Sequence, residues 1–180
     1  MDFLPEMVHA RHLAEFGFVK DYLDEAGFAA QIVEKSKLIP LHSLVVMLPQ
    51  DHREQDRVLH LSFIPFSQDD LEHLQLLQLY TTVVQIANTP FRREVEQLLL
   101  AINSKLPIGH FSTKENDEVY YRYVYAVPSA IPIEQGPLVE TVSLFSFVLN
   151  SFVGLIENVA EGQLDLQSAL AGLDEAGSGH

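Results

Sequence analysis

His9, His12 and Glu15 fall at i, i+3 and i+6 of a helical stretch near the N-terminus. Two histidines one turn apart can share a metal ion. His42, His52, His60, His73 and His110 show no paired spacing, so the whole set reads as solvated side chains and no metal is expected. Glu115, Asp117 and Glu118 cluster at a turn. A calcium loop needs regular alternation and a glycine at its bend, and neither occurs here. A polar hairpin tip is the expected reading. The run V-Y-Y-R-Y-V-Y from Val119 to Tyr125 is aromatic on both faces. Aromatic strands stack bases in RNA-binding sheets, but those surfaces are basic, and Arg122 is the only base nearby. Cross-strand packing is expected instead. Tyrosines left exposed along this run would suit a peptide or a second subunit. No nucleophile–base pair, paired carboxylates or glycine-rich phosphate loop sits in a strand–turn–helix context. The residues therefore point to no catalytic group and no cofactor.

The element that must organise any surface is Pro137 to Glu161. Pro137 suits a first helical position and Gly162 a stop. Such a helix runs roughly 37 Å at about 1.5 Å per residue. Val142, Phe145, Leu149, Phe152 and Ile156 share one stripe. Val139 and Val153 widen it on one side, and Leu144, Val148, Leu155 and Val159 on the other. The apolar arc spans about 220°, against roughly 100° for a helix that covers one core face. Phe147 lies outside it. One sheet leaves part of such an arc uncovered, so a second cover is expected from the N-terminal helix, through Phe16, Val19 and Leu23, or from another molecule. Serines, Glu140, Thr141 and Asn150, with no basic flank, argue against a membrane span.

Pro5 to Glu25 carries a helical rhythm, with Gly27 as its stop. Ile32-Val33 and Leu38-Ile39 fit an edge strand. Ser43 to Leu48 is a firm strand ended by Pro49, and Gln50 to Gln55 is a polar turn. Arg57 to Phe63 alternates, with Leu59, Leu61 and Phe63 inward. Period two favours a strand from about Leu76 to Gln85, and the capping signature at Ser67 to Glu72 leaves a helix as the alternative. Thr89 to Lys105 is an amphipathic helix. Gly109 to Thr113 and Glu118 to Ala126 form a hairpin. Gln163 to Leu173 is a short last helix, followed by a frayed end from Gly177 to His180. The domain expectation is one α+β domain over residues 1–162, with a short acidic helix and tail over 163–180.

The chain has 180 residues, is 47% hydrophobic, and has no cysteine. That composition argues for a folded core without disulfides, in a reducing compartment. MDFLPEMVHARH lacks the pattern of a signal peptide, so a cytoplasmic location is expected. The net charge is −14, and no Lys or Arg follows Arg122. Such a field repels phosphate backbones and anionic lipid, so nucleic acid is not an expected partner. A protein or peptide is, and this field favours basic or amphipathic segments.

Leu98 to Phe111 (L-L-L-A-I-N-S-K-L-P-I-G-H-F) and Glu118 to Tyr123 (E-V-Y-Y-R-Y) resemble the YbjN-like, type III secretion chaperone-like family. A helix ends near an Asn, then come a Gly-x-Phe strand, an aromatic-basic strand and a long apolar helix. The resemblance implies an antiparallel sheet of about five to six strands, flanked by an N-terminal helix, a middle helix and a long C-terminal helix. It implies frequent dimers, binding of partly unfolded protein in the secretion chaperones, and no catalytic residues to carry over. This chain's longer N-terminal helix and added acidic C-terminal helix depart from the secretion chaperones. The sequence expectation is thus a non-enzymatic, homodimeric protein-binding module. Its candidate interaction surface is Leu144, Phe147, Val148, Leu155, Tyr121, Tyr123 and Tyr125. The competing expectation is a small-ligand or enzymatic domain that uses the concave face of the sheet.

Overall fold

A computed structural model describes residues 4–37, 39–50, 53–66, 71–87 and 89–177. The order is α1 (Glu6–Glu25), β1 (Ala30–Val33), β2 (Ser43–Leu48), β3 (Arg57–Phe63), β4 (Leu74–Gln85), α2 (Thr89–Asn103), β5 (His110–Thr113), β6 (Glu118–Pro128), α3 (Gln135–Ala160) and α4 (Leu166–Gly177). The fold is α+β, and the strands hydrogen-bond in the order β1-β2-β3-β4-β6-β5 as one six-stranded sheet. The pairs β1–β2, β2–β3, β3–β4 and β5–β6 are antiparallel. Leu38, His52, parts of the Gln50–Gln55 and Ser67–Glu72 turns, and residues 178–180 lie outside the described residues. Contacts divide the chain into two compact units.

The first unit holds residues 1–80 and 123–146. Strict alternation sends Leu44, Val46 and Leu48, then Leu59, Leu61 and Phe63, to the buried face. The registers Leu44↔Leu61 and Val46↔Leu59 put these leucines and valines beside one another. Helix α1 lies on β1 and β2, with Phe16, Val19 and Leu23 fully buried. The Phe16 ring centroid is 5.1 Å from that of Phe63. The helix ends in a Schellman pair: Phe28 N–H donates to Leu23 O at 2.9 Å and Gly27 N–H to Asp24 O at 3.0 Å. Gly27 has φ +90°, a conformation that a residue with a Cβ resists.

The second unit holds residues 81–122 and 147–180. Val95, Leu98, Leu99 and Ile102 form the buried face of α2. Asn103, at its end, grips the edge strand β5: its Nδ2 donates to Phe111 O at 2.9 Å, and its Oδ1 accepts the Phe111 N–H at 2.8 Å. The hairpin tip is polar, as expected, and Arg92 holds it by donating to Asp117 Oδ1 at 2.6 Å, while Glu96 on the same helix accepts from Arg92 Nε at 2.8 Å. Helix α3 closes with a second Schellman pair, from Gln163 N–H to Asn158 O at 2.8 Å and from Gly162 N–H to Val159 O at 3.1 Å. Gly162 has φ +73°, and a Cβ there would lie 2.5 Å from Phe91 Cζ. Because Gln163 is committed to this closure, α4 starts at Leu166 rather than at Gln163. Asp165 caps it, accepting from Ser168 N–H at 3.0 Å and from Ser168 Oγ at 2.7 Å.

The wide apolar arc of α3 is mostly buried. Leu138, Val142 and Phe145 in the first unit, and Leu149, Val153, Ile156 and Val159 in the second, are all at 0% exposure. By length and composition alone, the same helix would also suit a membrane span.

Candidate binding groove

A groove of about 740 Å³ opens in the first unit between the start of α1 and the segment around β4's beginning. Helix α1 starts after Pro5, whose carbonyl accepts from Val8 N–H at 2.9 Å and His9 N–H at 3.2 Å. Leu4, Val8, Arg11 and His12 then follow the i, i+4, i+7, i+8 rhythm of one helical face and form one wall with Pro5 and Met7. Ile64, Phe66, Leu71, Leu74 and Leu76 form the other, with Phe63 joining them. Ser129 ties down the second wall: its N–H donates to His73 O at 2.9 Å and its Oγ to Glu72 O at 2.7 Å. Most lining side chains are apolar. Met7, Phe66 and Leu74 stay 78%, 46% and 42% exposed at the rim. Large apolar side chains gathered in one exposed concavity are the ordinary mark of a binding site.

The polar groups are few. Arg11 donates from its guanidinium to Ser129 O. The Gln75 amide nitrogen is buried without a hydrogen-bond partner among the described residues. His12 lines the groove with its ring stacked on Phe63, centroids 4.3 Å apart.

The histidine expectation is corrected here. His9, His12 and His42 are not solvated; they are 2%, 9% and 7% exposed. At about 100° per residue, His9 and His12 share the face of Phe16, Val19 and Leu23, and the helix carries them inward. His9 and His42 meet edge-to-face at 5.7 Å. His42 Nδ1 accepts the Lys35 N–H at 3.0 Å, which fixes a neutral tautomer. Burial pushes His12 down to about 4, helped by the charges of His9, Arg11 and His42. Burial likewise lowers His42, with His9 the next cause. Glu15 is 8% exposed and accepts the Ile133 N–H at 3.4 Å. Among the described residues, no group of His, Asp and Glu is arranged to hold a metal ion. His60 and His73 are exposed.

None of the residues expected to form an interaction surface lines this groove. In the first unit Leu144 is 38% exposed, and Tyr123 and Tyr125 are half-buried. Burial raises the Tyr125 phenol, with Tyr123 and Glu134 contributing. In the second unit Phe147 is 68% exposed and Leu155 half-buried. Two assignments are corrected. Val148 is 2% exposed because it lies on the buried arc of α3 beside Leu149. Tyr121 is 0% exposed because its register opposite Phe111 turns it inward. Its ring stacks on Phe111 at 4.4 Å, and its hydroxyl donates to Ile108 O at 2.7 Å.

No protein-family model matches this chain, and no curated protein matches its sequence. Among solved structures it is similar to the crystal structure of YbjN from E. coli, a proposed transcription regulator. The identity is 12%, over 76% of this chain and 90% of that one, with a TM-score of 0.39.

Proposed function

We propose that this chain is a non-enzymatic binding module that holds an apolar segment of a protein partner in the groove beside α1, in the manner of a chaperone. The observation that carries this reading is the exposure of Met7, Phe66 and Leu74 around one concavity. Methionine adapts to varied apolar partners, and a helix-lined groove is a common seat for amphipathic segments. The resemblance of Leu98–Phe111 and Glu118–Tyr123 to secretion chaperone-like proteins supports the same role. The balance of 11 Lys and Arg against 25 Asp and Glu opposes the nucleic-acid contacts that a transcription regulator makes. We take the protein to be cytoplasmic, with α3 as a core helix. Labelled amphipathic peptides titrated with the full chain should gain fluorescence anisotropy. The double variant Met7→Glu/Leu74→Glu should weaken binding at least about tenfold, because two apolar contacts become desolvated charges. Equal binding by variant and wild type would remove the groove from the site.

Self-association is a second reading, favoured by Phe147 at 68% exposure in the second unit. A two-fold contact would cover Phe147 on both subunits with one patch. Added salt should strengthen such a dimer by screening the net charge of −14. Sedimentation equilibrium at low and high salt measures this. A monomer at tens of micromolar under both conditions would refute it.

A further inference from the structure

We infer that the segment seated in the groove carries an acidic side chain that pairs with Arg11. The inference rests on the groove being the binding site and names the chemistry of its occupant. In a chain of net charge −14, cations are readily neutralised. Lys20 pairs with Asp24, Lys35 with Glu6, Arg92 with Asp117 and Glu96, and Lys114 with Glu118. Arg11, like Lys37 and Arg93, has no ion pair among the described residues, and of these three it is Arg11 that stands on the wall of the apolar groove. Its bond to Ser129 O holds one edge of the guanidinium in place. A guanidinium has five N–H donors in a fixed fork, so the remaining donors are pre-positioned for a carboxylate. Fixing the side chain beforehand also lowers the entropy lost on binding.

The other charged group of the groove, Glu72, lies on the segment that forms the opposite wall, exposed beside His73. A purely apolar occupant would leave the remaining donors of Arg11 without a charged partner. An apolar segment whose one Asp or Glu sits at Arg11, away from Glu72, meets them and avoids a like charge.

The test uses short, neutral, fluorescein-labelled apolar peptides in which one Glu, or in a matched set one Gln, is moved through every position. Anisotropy is read against the full chain. In at least one register the Glu peptide should bind wild type about tenfold more tightly than its Gln counterpart, the usual scale of a charge-assisted hydrogen bond. That preference should vanish in Arg11→Met, survive in part in Arg11→Lys, and shrink at high salt. Equal binding of Glu and Gln peptides in every register overturns the inference and leaves the groove reading standing. So does a preference that persists in Arg11→Met. If no peptide binds wild type, both fall. Retained melting temperatures in Arg11→Met and Arg11→Lys separate lost recognition from lost fold.

Discussion

Replacing Phe111 with alanine is expected to cost about 3–5 kcal/mol of unfolding free energy. Phe111 is 1% exposed. Its ring stacks on Tyr121 and meets Phe152 edge-on, with centroids 4.4 Å and 6.4 Å away. Alanine removes the ring while the surrounding backbone stays pinned, because Asn103 holds both the N–H and the C=O of residue 111. A site that resists collapse keeps its cavity, which places the loss at the upper end of the range. Leucine at 111 refills most of the volume and should cost about 1–2 kcal/mol. Tyr121→Phe keeps the stack and removes only the hydroxyl bond to Ile108 O, so about 1 kcal/mol is expected. Urea unfolding measures all three through the midpoint at unchanged slope. A Phe111→Ala loss below about 1 kcal/mol would mean that β5 is peripheral to the stability of its unit.

The periodic elements were legible because each is decided by local pattern. Ser43–Leu48 and Arg57–Phe63 have the bounds that their alternation implies, since every second residue faces a buried layer. Gly27 and Gly162 mark the helix stops that their φ values require. The aromatic strand β6 was harder. With tyrosine or valine on both faces, composition does not say which face is buried, and the pairing of Tyr121 with Phe111 decides it. The groove was illegible for a different reason. Met7, Phe66 and Leu74 have the residue types of a core, and they meet only after α1 and the start of β4 are placed side by side. The width of its apolar arc drew attention to α3, but arc width does not say how much of it the chain itself covers, and most of it is used inside the fold. One signal was available. His12 falls between Val19 and Leu23 on a helical wheel drawn at about 100° per residue, so its inward position follows from spacing.

That position makes the first unit sensitive to acid. His12 is neutral in the folded chain down to about pH 4, because burial first, then the neighbouring His9, Arg11 and His42, oppose its charge. In the unfolded chain it titrates near its ordinary value of 6.5. Above pH 6.5 the ring is neutral in both states, and the full stability is present. As pH falls from about 6.5 towards 4, the unfolded chain takes up a proton that the folded chain refuses, and stability is lost. Below about 4 this group contributes no further slope. The whole shift corresponds to about 3 kcal/mol at 1.36 kcal/mol per pH unit, and water at the ring's open edge reduces the expected loss to about 2 kcal/mol. His42 acts in the same direction, tempered by Glu34 and Glu6 and reinforced by Lys35. The measurement is urea unfolding of wild type and His12→Leu between pH 7.5 and 4. Leucine keeps an apolar contact with Phe63 and does not titrate, while carboxylates contribute equally to both curves. The two curves should run parallel above pH 6.5. Below it, wild type should fall more steeply, by about 2 kcal/mol in total. Parallel curves throughout would mean that His12 accepts its proton in the folded state, and that the groove wall it forms on Phe63 admits water freely.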